Sequence, residues 1–199
     1  MGIFSLLYQS TQMFKHILIL FLILIPFFLL YYVNVSFLDD RIKVLADDGN
    51  YYTVRNTKKS KETANTLARL NAKVKEFLAL LQQKGDDSQS PMISRLVQRY
   101  NPDTLNEGKI DKELTSYTIN KGESITLCVR SRDSHDNLYN DNVLFGVLLH
   151  ELAHVGSVTV DHNAEFIRNF NYLLQKASEW NMFTRITKQF DYCGIETTI

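Results

Sequence analysis

The stretch Val143-Leu-Phe-Gly-Val-Leu-Leu-His-Glu-Leu-Ala-His-Val155 constrains this chain more than any other. Only His150, Glu151 and His154 are polar within it. A run of that length, apolar all round, predicts a helix buried in a protein core. Polar groups in the middle of such a helix are costly unless something satisfies them. Residues four apart on a helix lie one above the other, so His150 and His154 present imidazole nitrogens to one point. Glu151 is rotated by about 100° and borders that face. The residue types suit a Zn²⁺ site: neutral imidazoles as ligands, a polarising ion, and a carboxylate beside the ion that takes a proton from its water. The competing reading is a chance spacing on a core helix, with both histidines hydrogen-bonded to carbonyls.

Catalytic zinc takes three protein ligands and keeps a fourth position open. Gly156 is expected to end the helix in a left-handed conformation, after which residues 157–161 turn the chain back to His162. His162 is therefore the expected third ligand. Glu165, one helical turn further on, is the alternative, which would leave His162 in a supporting role. Asp161 is placed to orient a ligand histidine. Glu151 is the expected general base. His16 and His135 read as bystanders, with His135, Tyr172 and Tyr192 as lesser candidates for stabilising an oxyanion.

His150-Glu-Leu-Ala-His154, a short loop, and His162-Asn-Ala-Glu-Phe166 resemble the SprT/WLM group of compact zincin metallopeptidases. The wider stretch, from the helix at 60–84 through Leu127-Cys-Val-Arg130 to Tyr192-Cys-Gly194, is similar to WLM-like proteins of large DNA viruses. The resemblance implies an α+β, minigluzincin-type domain with a small antiparallel sheet beside the motif helix. It also implies peptide-bond hydrolysis with zinc as cofactor. Two departures stand out. Seven residues, Val155 to Asp161, separate the second and third histidines, where relatives often have five. Relatives that repair DNA–protein crosslinks carry nucleic-acid or modifier-binding appendages, whereas this chain has a membrane span instead, so their substrate is not carried over.

That span is Ile17 to Val33, apolar and free of charged residues, with Pro26 inside it. Seventeen residues at 1.5 Å rise give about 26 Å, near the lower limit for crossing a bilayer. Phe14 extends it at the interface, and Tyr31 and Tyr32 sit where an aromatic belt would be. A cleaved signal peptide would want a better small-residue site than Asn34-Val-Ser-Phe-Leu38 offers. Most helices packed on a soluble core keep a polar face, and this run, longer than the motif helix, has none. An uncleaved anchor with lipid contact through residues 14–33 is the reading, and Leu6 argues against myristoylation. Lys15 precedes the span while Arg41 and Lys43 follow, so basic residues do not fix the orientation. A signal-anchor habit would put the C-terminal domain outside the cytosol, on a host or virion membrane if the viral resemblance holds.

The expected organisation is an anchor over 1–33, a connector over 34–57 and the metallopeptidase domain over 58–199. An amphipathic helix is expected over 60–84, capped by Ser60, and read as packed on the catalytic domain in preference to a partner helix. A second helix is expected from Pro91 to Tyr100, then a turn-rich stretch over 101–108. A hairpin follows over 115–129 about Asn120-Lys-Gly122, with helices from Asp141 or Asn142 to Val155 and over 163–178. Formal net charge is zero, which gives no electrostatic reason to expect nucleic acid as a partner. Cys128 and Cys193 could pair in an oxidising compartment or remain separate buried thiols. The main alternative function is a metal-stabilised binding or structural protein without turnover. An intact Glu151 argues against it, because a structural site has no use for an unliganded carboxylate.

Overall fold

The computed structural model describes residues 3–37, 40–109, 115–133 and 135–199, and within the first helix the side chains of residues 13–31. The placement of Tyr32 in an aromatic belt and the side chains of the cleavage-site stretch 34–38 lie outside the described residues. The chain forms two compact units, Met1–Asp40 and Arg41–Ile199.

The first unit is one helix, α1 (Ile3–Phe37), with Pro26 inside it. Its window Met13–Tyr31 is long and apolar enough to cross a membrane, and none of it is buried. Nineteen residues span about 28 Å at the α-helical rise.

The second unit is α+β. It opens with the antiparallel hairpin β1 (Arg41–Leu45) and β2 (Tyr51–Arg55), which packs on α2 (Ser60–Lys84). Residues 41–55, read from sequence as connector, thus belong to the folded unit. The apolar stripe of α2 buries Leu67, Leu70, Val74, Phe77 and Leu81. Ser60 does not cap it. Its hydroxyl accepts from the Thr57 amide and donates to the Arg55 carbonyl, so it is spent on the preceding turn, and the cap position is Lys59. Helix α3 (Ser90–Arg99) buries Met92, Ile93 and Leu96.

The sheet beside the motif helix is mixed, not antiparallel. Its order is β3 (Leu105–Glu107), β5 (Ser124–Leu127), β4 (Tyr117–Ile119), with β3 parallel to β5 and β4 antiparallel to it. The turn-rich appearance of 101–108 hid β3, because Asn106 and Glu107 lack strand propensity. A non-local interaction holds the strand. Glu107 is buried and accepts from the Arg55 amide at 2.7 Å and Nε at 2.9 Å, and from Arg130 Nε at 2.8 Å and Nη2 at 3.0 Å. Asp136 pairs with both arginines, so within this cluster two cations meet two anions.

Helix α4 (Asp141–Gly156) is buried on nearly every face, and the Phe77 and Phe145 rings meet edge to face, 6.0 Å between centroids. Its cap is Asn140, whose side chain accepts from the Val143 amide at 2.9 Å. Helix α5 (Ala164–Glu179), capped by Asn163, packs against it. A second hairpin, β6 (Phe190–Tyr192) and β7 (Ile195–Thr197), closes the unit. Cys128 and Cys193 form a disulfide with Cα atoms 6.5 Å apart, which joins the end of β5 to this hairpin. That resolves the two alternatives for the cysteines.

Candidate metal centre

The last two turns of α4 carry His150, Glu151 and His154, and the loop after it brings His162 back over them. His162 Nε2 lies 3.0 Å from His150 Nε2 and 3.2 Å from His154 Nε2. Nitrogens bound tetrahedrally to zinc at about 2.0–2.1 Å sit about 3.3 Å apart, so these separations match a shared ion. Three ring nitrogens facing one point have no common proton to satisfy them, whereas a cation accepts all three lone pairs. The donor set therefore fits a divalent metal.

The rings are held from below by apolar contact. Phe166 stacks on His154 with centroids 4.3 Å apart and meets His150 edge-on at 4.8 Å, while Phe170 meets His150 at 5.2 Å. Burial, with the neighbouring histidines adding to it, lowers the pKa of His150 to about 4. The same cause, helped by His162 and Lys121, lowers His154 to about 4. Both are neutral at pH 7, the form a metal requires.

Glu151 is buried, and desolvation raises its carboxyl pKa to about 7. The Thr118 hydroxyl of β4 donates to Glu151 Oε2 at 2.7 Å and pulls the other way. A cleft of ≈ 510 Å³ opens over these groups, lined by Thr118, Lys121, His150, Glu151, His154 and His162 among others.

The family model that matches residues 47–197 is the WLM domain. The chain belongs to the WLM family. Uncharacterized protein R325 of Acanthamoeba polyphaga mimivirus is 30 % identical over 149 residues, covering 72 % of this chain and 75 % of that protein. Uncharacterized protein 136R of Invertebrate iridescent virus 6 is 38 % identical over 96 residues, 47 % of this chain and 53 % of that protein. Among solved structures, Wss1 from Saccharomyces cerevisiae aligns with a TM-score of 0.48 at 17 % identity, over 64 % of this chain and 88 % of that one. Wss1 from S. pombe aligns with a TM-score of 0.43 at 20 % identity, over 69 % and 98 %.

Within this WLM unit, Glu165 does not face the three histidines. Its carboxylate accepts from the Val158 amide at 2.9 Å, the Thr159 amide at 3.2 Å and the Thr159 hydroxyl at 3.0 Å. These bonds, led by the one from Val158, lower its pKa. It fastens the loop that carries His162. The C-terminus of α4 is fastened too. Arg95 Nε donates to the Gly156 carbonyl at 2.7 Å, Arg99 Nη1 to Val155 at 3.1 Å and Lys121 Nζ to His154 at 3.3 Å. Lys121 Nζ also donates to the Thr159 carbonyl. Cations there satisfy carbonyls that have no helical partner and oppose the helix dipole.

Gly156 departs from expectation: it does not adopt a positive φ, and a Cβ on it would sit 3.0 Å from the Met92 side chain. It is small because α3 packs there. Gly122 has φ +113°, and a Cβ on it would meet the Arg99 carbonyl at 2.6 Å. That close approach brings the hairpin turn and Lys121 to the end of α4.

His135 is exposed beside Asp133, and the Tyr172 hydroxyl accepts from the Asp86 amide, so neither reaches the histidine cluster. The Tyr192 hydroxyl donates to the Cys128 carbonyl at 2.8 Å and meets the Ser116 hydroxyl at 2.8 Å, so it is engaged in the wall of the site. Asp161 is exposed in the loop. Thr118, Lys121 and the arginines of α3 were missed. Their partners lie 33 or more residues away, and no local pattern announces them.

Proposed function

We propose that the chain is a membrane-anchored, zinc-dependent metallopeptidase that hydrolyses peptide bonds of protein substrates. The observation that carries this reading is the meeting of three imidazole Nε2 atoms next to a buried, unliganded carboxylate. Membership of the WLM family supports it. His150, His154 and His162 would hold the ion. Zinc in that position supplies a Lewis acid and lowers the pKa of its water towards about 7. Glu151 accepts a proton from the attacking water at its carboxylate and hands it to the departing amine nitrogen as the C–N bond breaks. Water ends up divided between the new carboxylate and the new amine. Thr118 holds Oε2, which leaves Oε1 to face the water. Phe166 packs against all three imidazoles and Phe170 against His150, which holds the rings in place.

The exposed apolar surface of Met13–Tyr31 supports an anchor over residues 1–33. The Cys128–Cys193 disulfide supports placing the folded unit in an oxidising compartment, outside the cytosol. Substrates are then proteins close to that membrane.

Glu151→Gln tests the reading. Zinc content should match wild type, while cleavage of a broad peptide pool falls by orders of magnitude. Equal cleavage by the two proteins would sink the proposal.

A further inference from the structure

The cleft over the histidines carries little charge. Among the described residues that line it, Glu151 is the lone acid and Lys121 the lone lysine or arginine. Val160, Asn120 and the hydroxyls of β4 and Ser116 account for much of the remaining wall.

Lys121 enters the cleft from an unusual turn. Asn120, Lys121 and Gly122 have φ of 45°, 59° and 113°. Glycine and asparagine adopt left-handed backbone readily, and lysine rarely does. Residues held in such sparsely populated regions cluster at active sites and ligand clamps. The turn is backed by α3, where Gly122 lies against the Arg99 carbonyl.

The Lys121 ammonium donates to the His154 carbonyl at 3.3 Å and to the Thr159 carbonyl. It thereby ties together two lips of the cleft, the β4–β5 turn and the loop that carries His162. An ammonium has three donors, so one remains after these two bonds. Both partners are neutral. Arg99 and Arg95 add positive charge around the lysine, and Glu165 and Asp161 oppose it, but among the described residues no carboxylate forms an ion pair with it. Glu165 is engaged by Val158 and Thr159 and faces Arg95 at 3.6 Å, while Asp161 is exposed in the loop. A partly exposed cation thus stands at the edge of the cleft with a spare N–H and no anion bound to it.

We propose that Lys121 is a specificity-determining residue of the hydrolytic site, pairing with an Asp or Glu side chain of the substrate. The proposal rests on the hydrolytic reading above. A peptide bound over the histidines brings its side chains past Lys121, and a carboxylate there meets both the opposite charge and the remaining donor.

The experiment uses the full chain in detergent micelles with zinc and C-terminally amidated peptides, varied one position at a time on both sides of the cleaved bond. Amidation leaves side chains as the source of carboxylate. At one position, wild type should favour Asp or Glu over Asn or Gln by about two- to fivefold in kcat/KM, the scale of an exposed ion pair. That advantage should shrink towards unity in about 1 M salt. Lys121→Arg should keep it, Lys121→Met should abolish it, and Lys121→Glu should convert it to a preference for Lys or Arg at the same position. Each ratio is taken within one protein, so a lower overall rate from a loosened loop does not disguise the result. If the Met and Glu variants lose zinc, the salt dependence of wild type decides. Equal cleavage of acid and amide peptides by wild type, an acid preference indifferent to salt, or one that survives Lys121→Met overturns the role of Lys121 and leaves hydrolysis intact. No cleavage by wild type, or equal cleavage by Glu151→Gln, overturns the hydrolytic reading and this proposal with it.

Discussion

Removing the Glu165 carboxylate should loosen the metal without removing a ligand. The side chain accepts three hydrogen bonds from Val158 and Thr159, all in the loop that delivers His162. Hydrogen bonds to a charged group contribute about 1.5–3 kcal/mol each when buried. This carboxylate is partly exposed, with side-chain accessibility of 23 %, and water replaces much of what is lost. A net loss of about 1.5–2.5 kcal/mol for Glu165→Ala is reasonable, which is about 10- to 70-fold in zinc affinity if loop order is lost with it. That falls within the 10–100-fold typical of residues that orient ligands. His162→Ala removes a ligand outright and should cost at least about tenfold more than that. Glu165→Gln keeps an acceptor oxygen and should lie between wild type and Glu165→Ala. Competition with a chromophoric chelator, on proteins whose circular dichroism shows them folded, gives the three constants. If Glu165→Ala loses zinc more completely than His162→Ala, the assignment of the third ligand is wrong.

Other outcomes follow from the same geometry. Thr118→Val removes the one hydrogen bond that lowers the Glu151 pKa, so that pKa should rise further. The acid limb of the kcat/KM profile, where the base must be ionised, should then move to higher pH, and a shift to lower pH or none would contradict the role given to Thr118. Reducing Cys128–Cys193, whose sequence separation is 65, should cost about 4 kcal/mol of stability by loop-closure entropy, read as a lower denaturant midpoint in the presence of a phosphine.

The parts of this molecule visible in its sequence are those whose cause is local. The α4 helix announces itself by apolar residues on all sides and three polar ones where a metal face would lie. The stripe of α2 and the turn at Asn120-Lys-Gly122 follow from periodicity and backbone preference. What was not legible is held by partners distant in the chain. Strand β3 exists because Glu107 is gripped by Arg55 and Arg130, 52 and 23 residues away. The parallel pairing of β3 with β5, which makes the sheet mixed, has no signal in Leu105-Asn-Glu107. The approach of His162 to the two motif histidines, within 3.2 Å of each, was legible because the chain turns back soon after the motif helix. That Glu165 bonds the loop and does not face the three histidines depended on which way one turn of chain folds, a matter of two amides at Val158 and Thr159.

X-ray absorption at the zinc edge of the purified full chain reports the ion and its neighbours together. One zinc per chain with three imidazole nitrogens and one light oxygen neighbour at about 2.0–2.1 Å is the expected spectrum, reduced to two imidazoles in His162→Ala. Folded protein that retains no transition metal, or a spectrum unchanged by His162→Ala, would show that these three rings do not share an ion.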